Sequence, residues 1–187
     1  MIEPTIGPRE RILVMGLGGV GKSNALLSIA REMPQSQFHI VDNDFSTERL
    51  LWTAYPEVAE RGNVHAHNLM PSAWPDLLAT MESLVAVGTR DDWLSIDSAT
   101  PTWDAVQSWF VETQFGEDVA SHMMKLRQQA KDVREFQRLM TNDMMWQIIN
   151  KEYGKFYDLL LKWPGHIWMT AEQAMVSDDD DREIRGM

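Results

Sequence analysis

The sequence predicts an α/β domain with a mostly parallel sheet covered by helices on both faces. Short apolar runs that suit buried strands alternate with longer segments of helical periodicity along the 187 residues. Parallel strands need long crossover connections, and the segments between the apolar runs are long enough to supply them as helices. An apolar content of 44% is sufficient for one core of this kind.

The individual elements follow from periodicity and from the residues that end it. Strands are predicted for five runs, the third being the weakest: residues 11–15, 37–42, 63–69, 92–97 and 166–171. Helices are predicted between them at residues 22–33, 46–55 and 72–87. Pro34 and Pro56 are expected to end the first two helices. A helical insertion is expected at about 101–163, with breaks near Gly116 and residues 141–142.

Composition limits the possible functions. A single domain is expected at residues 1–175, followed by an acidic tail at 176–187 that we expect to be disordered. The net charge of −11 argues against a protein that coats nucleic acid with its whole surface. The chain contains no cysteine, which excludes disulfides and thiolate metal sites. Because no apolar run approaches the roughly 20 residues of a membrane span, we expect a cytoplasmic protein without a membrane role.

A glycine-rich segment between the first strand and the first helix fits the phosphate-binding pattern G-x-x-x-x-G-K-[ST], called Walker A. Its backbone N–H groups can turn inward around an anion, and the following helix adds its positive dipole end. Lys22 is expected to reach the β- and γ-phosphates, and the Ser23 hydroxyl is expected to bind Mg²⁺. The predicted nucleotide-binding residues are Gly16, Gly18, Gly19, Val20, Gly21, Lys22, Ser23 and Asn24.

Two other strands are predicted to end in carboxylates. The run 92–97 ends in Asp97, which is expected to act as the Walker B acid and hold the Mg²⁺ shell beside the P-loop. The run 37–42 ends in Asp42, and Asp44 follows two residues later. The guanine-specific motifs D-x-x-G and N-K-x-D are missing, so a small GTPase is not expected.

This combination resembles the RecA-like P-loop ATPases, in which a strand ending I-D-x-E supplies a catalytic glutamate and a strand ending D-S supplies Walker B. Val41-Asp42-Asn43-Asp44 stands in the first place and Ile96-Asp97-Ser98 in the second. The resemblance implies that Asp44 orients the attacking water. Its side chain is one methylene shorter than glutamate, so slow hydrolysis is expected. A merely solvated Asp44 is the alternative, with Glu48 and Glu172 as substitutes.

Over residues 11–172 the chain also resembles compact phage-encoded nucleotide-binding proteins of the AAA type, some of which assist single-strand annealing and recombination. The segments that carry this resemblance are Trp146–Tyr153 and Gly165–Ala171. It implies a homo-oligomer or a component of a phage protein assembly in the host cytoplasm. It also implies that Thr170 senses the γ-phosphate, although a threonine within a strand is more often only a strand former.

A basic segment offers a candidate surface for single-stranded DNA. Four residues step by four, three and four positions, which predicts that they lie along one helix face: Arg127, Lys131, Arg134 and Arg138. Such a stripe can bind phosphates or offer an arginine finger to a neighbouring subunit's nucleotide. A solvated face paired with Asp132 and Glu135 is the alternative.

Two other patterns are interpreted as structural. One predicted helix stripe is apolar and is expected to pack in the core: Met145, Ile149, Tyr153, Phe156, Leu160 and Trp163. His65 and His67 share a strand face, but no third ligand is near in sequence, so metal binding is not expected there.

The function expected from these features is Mg²⁺-dependent ATP binding and slow hydrolysis, coupled to DNA recombination or single-strand annealing. Two alternatives remain open. One is a nucleotide-gated assembly module that binds ATP without hydrolysing it. The other is a small-molecule phosphotransferase of the nucleotide-kinase kind, in which residues 116–141 form a lid over the P-loop.

Overall fold

The chain folds around one parallel sheet, and the computed structural model describes it at residues 8–43, 45–69, 74–140, 143–172, 174–177 and 182–185. The strands are β1 Arg11–Gly16, β2 Phe38–Asp42, β3 Val64–Asn68, β4 Trp93–Asp97, β5 His166–Glu172, β6 Ala174–Ser177 and β7 Arg182–Arg185. The helices are α1 Lys22–Glu32, α2 Thr47–Ala54, α3 Pro56–Arg61, α4 Trp74–Val87, α5 Ala99–Phe115, α6 Val119–Gln129, α7 Val133–Met140 and α8 Asp143–Lys162.

The first five strands form a parallel sheet in the order β1-β5-β4-β2-β3. This confirms the predicted α/β fold and all five predicted strands, including the weak third one. Because every strand runs the same way, the carboxyl ends of β1, β2, β4 and β5 lie at one edge of the sheet. That edge is where open α/β sheets bind their ligands.

Helices cover both faces of this sheet, because alternate residues of the strands enter two different hydrophobic clusters. The larger cluster contains, among others, Trp74, Leu94, Val106 and Phe156 from α4, β4, α5 and α8. The smaller cluster is built mainly from α1, α2, α3 and the opposite side of the strands. Buried strand residues with so little polar alternation are typical of a sheet covered on both faces.

Helix α8 packs through the predicted apolar stripe. Ile149, Phe156, Leu160 and Trp163 are buried in the larger cluster, and Met145 and Tyr153 pack against it. Within the described ranges, no helix is both long and apolar enough to cross a membrane.

The helix predicted at 46–55 ends before Pro56 as expected, since α2 spans Thr47–Ala54. The sequence did not predict the further helix α3, which begins at Pro56. Proline fits the first turn of a helix because its missing N–H would have no helical partner there. The predicted break at Gly116 is confirmed, since Gly116 follows α5 with a φ of 67°. The break predicted at 141–142 lies outside the described residues.

The predicted acidic tail begins at residue 176. This range contains the end of β6 and all of β7, which pair as antiparallel strands. Residues 178–181 and 186–187 lie outside the described part of the chain. The division into a domain at 1–175 and a tail therefore stays a prediction.

Three histidines stack on neighbouring strands β2 and β3. The ring of His39 lies 5.0 Å from that of His65 and 5.7 Å from that of His67, centroid to centroid. Burial, helped by the two neighbouring histidines and opposed by Asp92, lowers the pKa of His39 to about 4. Among the described residues no three His, Cys, Asp or Glu side chains form a group that can hold a metal ion.

The His39 environment predicts a loss of stability in mild acid. The pKa of His39 falls from 6.5 in an exposed chain to about 4 in the fold, so between these values the unfolded chain binds a proton that the folded chain does not. The free energy of unfolding should therefore fall as the pH is lowered through this interval. In urea titrations at about pH 7 and about pH 5, His39→Phe should lose less stability than the wild type. An equal loss in both proteins would contradict this.

Candidate functional site

The P-loop follows β1 and leads into α1. Gly19 and Gly21 have φ values of 77° and 94°, a left-handed conformation that suits glycine. The amino group of Lys22 lies over the loop and donates to the carbonyl oxygens of Gly16 and Leu17, at 3.0 Å each. The first N–H groups of a helix have no partners within the helix, so the start of α1 provides backbone donors for an anion.

Asp97 lies at the end of β4 and its carboxylate accepts two hydroxyl hydrogen bonds. Ser23 Oγ donates to Oδ2 and Thr170 Oγ1 donates to Oδ1, both at 2.5 Å. The side chain is buried, with 5% of the residue exposed. The predicted P-loop hydroxyl and the predicted Walker B acid are therefore in direct contact. Hydroxyl and carboxylate oxygens are the type of ligand that Mg²⁺ prefers.

Thr170, predicted as a γ-phosphate sensor, is fully buried and contacts Asp97. It does not line the cavity in front of the P-loop. This position favours a role in orienting the Asp97 carboxylate.

The end of β2 is bound both to α2 and to β4. Asp42 is fully buried, and its Oδ2 accepts from the backbone N–H of Thr47 at 2.8 Å. Asp42 therefore accepts from the first residue of α2 and fixes the start of that helix. Asn43 donates from its backbone to the Asp97 carbonyl at 2.9 Å and from its side chain to the Ser98 carbonyl at 2.8 Å. These bonds fix the direction in which the chain leaves the sheet.

The structure describes two of the three residues predicted as candidates for orienting the attacking water. Asp44 lies outside the described residues, so its role stays a prediction. Glu48 accepts from the side chain of Asn68 at 3.4 Å and does not line the cavity. Glu172, at the end of β5, does line it.

A cavity of about 610 Å³ lies in front of the P-loop, a size typical of small-molecule sites. Its wall consists of Gly18, Gly19, Gly21, Lys22, Ser23, Asn24, Ser46, Arg49, Leu50, Thr53, Asp97, Ser98 and Glu172. Two predicted nucleotide-binding residues are not part of this wall. Val20 is exposed, and Gly16 contributes the carbonyl that accepts from Lys22.

Sequence reasoning missed the wall that α2 contributes. Ser46, Arg49, Leu50 and Thr53 follow the spacing i, i+3, i+4, i+7, which places them on one side of α2. That spacing is visible in the sequence. The spacing predicts a cavity wall only once β2 is known to lie beside β4, because this pairing brings the start of α2 to the P-loop.

Tyr55, directly after α2, connects this wall to α1. Its hydroxyl donates to the side-chain oxygen of Asn24 at 3.0 Å and lies 2.7 Å from Ser28 Oγ. Tyr55 is almost fully buried, whereas Asn24 faces the cavity. With its oxygen turned to Tyr55, the Asn24 amide keeps its NH₂ group as a donor for a ligand.

The four predicted basic residues do not lie along one helix face. Ala130 leaves helical geometry with a ψ of 132°, so α6 ends before it. Asp132 then accepts from the Glu135 backbone at 2.8 Å, and the Glu135 carboxylate accepts from the Lys131 backbone at 2.8 Å. This reciprocal cap starts a separate helix, α7.

The helix break separates the four side chains. Arg127 lies on α6 with its guanidinium 5.6 Å from the centre of the Phe136 ring. Lys131 lies in the connection, and Arg134 and Arg138 lie on α7. None of the four residues lines the P-loop cavity.

The parallel sheet, the P-loop and the carboxylate beside its serine define a P-loop NTPase fold. The chain matches the model of the AAA domain family over residues 9–186 and therefore belongs to that family. The match supports nucleotide binding at the P-loop.

No curated protein matches the chain by sequence. Among solved structures, the chain is similar to an ATP synthase subunit, NeqB, from Nanoarcheaum equitans, with a TM-score of 0.49 and 14% sequence identity. That match covers 92% of this chain and 40% of the subunit.

The contact between Tyr55 and Asn24 predicts a specific effect on nucleotide affinity. Tyr55→Phe keeps the buried ring and removes the hydroxyl, so the Asn24 amide loses its orientation. We expect ATP to bind about three- to tenfold more weakly, as for the loss of one hydrogen bond. Isothermal titration calorimetry measures the dissociation constant.

A double-mutant cycle separates orientation from packing. In an Asn24→Ala background, Tyr55→Phe should have no further effect on ATP affinity. The control Tyr157→Phe removes a hydroxyl from α8, outside the cavity wall, and should leave the affinity for ATP unchanged. If Tyr55→Phe weakens binding equally in both backgrounds, Tyr55 does not act through Asn24.

Proposed function

We propose that this protein is a RecA-like ATPase that binds Mg·ATP in the P-loop cavity and hydrolyses it slowly by in-line attack of water. The observation that carries this proposal is the 2.5 Å contact between Ser23 Oγ and the Asp97 carboxylate. A P-loop hydroxyl and a carboxylate at the end of a neighbouring buried strand are the two protein ligands that P-loop NTPases use for Mg²⁺.

Different residues of the cavity bind different parts of Mg·ATP in this proposal. The N–H groups of the loop and the Lys22 ammonium bind the phosphates and stabilise the charge that develops on them. Ser23 and Asp97 would hold Mg²⁺, which would neutralise part of the phosphate charge. Thr170 keeps the Asp97 carboxylate in one orientation through its 2.5 Å hydrogen bond.

Asp44 is the proposed residue that orients the attacking water. It follows Asn43 in the sequence, and the backbone and side chain of Asn43 are both bonded to the end of β4. The RecA-like assignment rests on this arrangement of two neighbouring strands ending in carboxylates, Asp42 and Asp97, in register. The shorter side chain of Asp44 is the reason to expect slow turnover. Glu172, which lines the cavity, is the second candidate for the same role.

Phosphate release from Mg·ATP tests this function. The wild type should release phosphate slowly, and Lys22→Ala should lose both ATP binding and release. Asp44→Asn should keep ATP affinity but lower the rate by about 100-fold or more, as expected when a water-orienting base is lost. Glu172→Gln tests the second candidate and should leave the rate within about twofold of the wild type. Glu57→Gln, an exposed position of α3 outside the cavity wall, is the matched control and should also leave the rate unchanged.

Other results of the phosphate-release experiment would favour a different catalytic residue or a different function. Loss of turnover in Glu172→Gln instead of Asp44→Asn would transfer the role to Glu172. Tight ATP binding without release would identify a nucleotide-gated assembly module. Phosphate transfer to added nucleoside monophosphates would identify a phosphotransferase.

We further propose that ATP turnover serves DNA recombination or single-strand annealing in an oligomer of phage origin, acting in the host cytoplasm. The support is the resemblance carried by Trp146–Tyr153 and Gly165–Ala171, together with the exposure of all four basic side chains on α6, α7 and their connection. Exposed Arg and Lys in this number can bind a phosphate backbone locally, despite the net charge of −11.

Charge reversal of this basic segment tests the DNA part of the proposal. Arg127→Glu combined with Arg134→Glu should weaken binding of a single-stranded oligonucleotide at least tenfold and reduce the salt dependence of that binding. Fluorescence anisotropy at two salt concentrations measures both effects. Lys151→Glu with Lys155→Glu makes the same change in charge on α8 and serves as the control. Equal losses in the two double variants would show that only net charge matters.

A further inference from the structure

Arg49 is a charged residue of the cavity wall to which the function proposed above assigns no role. It lies on α2, on the side of the helix that also presents Ser46, Leu50 and Thr53 to the cavity. The same cavity is lined by Lys22 and the P-loop glycines. Arg49 and the phosphate-binding loop therefore face a common space.

The charges around this space do not balance for a polyphosphate ligand. The cavity wall contains two carboxylates, Asp97 and Glu172, and two cations, Lys22 and Arg49. A nucleotide's phosphate chain adds further negative charge, and one Mg²⁺ together with Lys22 would offset only part of the charge on the phosphates and the two carboxylates. Arg49 is the additional cation that this wall provides.

The surroundings of Arg49 leave its guanidinium available for a ligand. Among the described residues, no carboxylate forms an ion pair with it. The adjacent Glu48 accepts from Asn68 instead. Other arginines have structural roles: Arg11 donates to the carbonyls of Gly165 and Trp163, and Arg61 donates to those of Ala30 and Arg31.

Helix α2 holds Arg49 in a fixed position relative to the P-loop. At its first residue, the Thr47 N–H donates to the buried carboxylate of Asp42. Just after its last residue, Tyr55 donates to Asn24 in the first turn of α1. Because both ends of α2 are bound to elements of the nucleotide site, only the side chain of Arg49 has to move to reach a ligand.

We propose that Arg49 binds the phosphates of the nucleotide that the P-loop of the same polypeptide holds. This inference rests on the proposed nucleotide-binding function and adds a second cation to it. The planar guanidinium can donate two parallel hydrogen bonds to phosphate oxygens, which an ammonium group cannot do. Arg49 thereby favours ligands with a longer phosphate chain.

The test compares ATP with inorganic tripolyphosphate, which has the phosphates without base or ribose. Arg49→Ala should weaken the binding of both ligands about tenfold to 100-fold, which corresponds to the loss of a charge-assisted hydrogen bond. Arg49→Lys should give an intermediate loss, because it keeps the charge and removes the planar fork. Calorimetric titration in the presence of Mg²⁺ measures each dissociation constant.

Arg138→Ala is the matched control. It removes the same charge from α7, where Arg138 pairs with Glu135 and does not line the cavity. Equal affinities for Arg49→Ala and Arg138→Ala would overturn the inference. A loss of ATP binding with unchanged tripolyphosphate binding would also overturn it, since Arg49 would then contact base or ribose. If the wild type binds neither ligand, the proposed function itself fails, whatever the variants do.

Discussion

The arrangement of this site depends on the Asp97 carboxylate, which joins three elements of the fold. One oxygen accepts from Ser23 on α1 and the other from Thr170 on β5, while β4 supplies the residue itself. The strand order makes this possible. Since β5 lies between β1 and β4, two strand spacings of about 4.8 Å separate the P-loop strand from Asp97. Helix α1 passes over that gap with Ser23, and Thr170 fills it from β5.

The same residue type has two different roles at the ends of neighbouring strands. Asp42 and Asp97 are opposite each other in the pairing of β2 with β4, and both are buried. Asp97 receives side-chain hydroxyls beside the cavity, whereas Asp42 receives the backbone N–H of Thr47. Asp42 therefore sets the start of α2, and through α2 it sets the position of Arg49. A buried carboxylate outside the cavity wall therefore still shapes that wall.

The sequence predicted features whose signal is local and missed those that depend on tertiary pairing. The P-loop and the strands could be predicted because residue spacing specifies the P-loop and apolar runs specify the strands. The α2 wall was missed because only the pairing of β2 with β4 brings Arg49 to the P-loop. The basic stripe was wrong for a local reason, since helical spacing was counted through residues 130–132, where the Asp132 and Glu135 cap begins a new helix. The helix α3 is missed because proline, which ends one helix, also fits the first position of the next.

Two residues with proposed roles at the nucleotide lie in or just after the connection from β2 to α2. This connection begins after Asp42, includes the proposed water-orienting Asp44, and leads within one further helical turn to Arg49. The longer segment from Asn43 to Tyr55, which includes α2, is bonded to β4 at its start and to α1 at its end. A group that binds phosphate must keep a constant position relative to the P-loop if attack is to be in line. Because α2 is bonded to Asp42 at its start and Tyr55, just after it, is bonded to α1, the backbone of Arg49 is held in such a position.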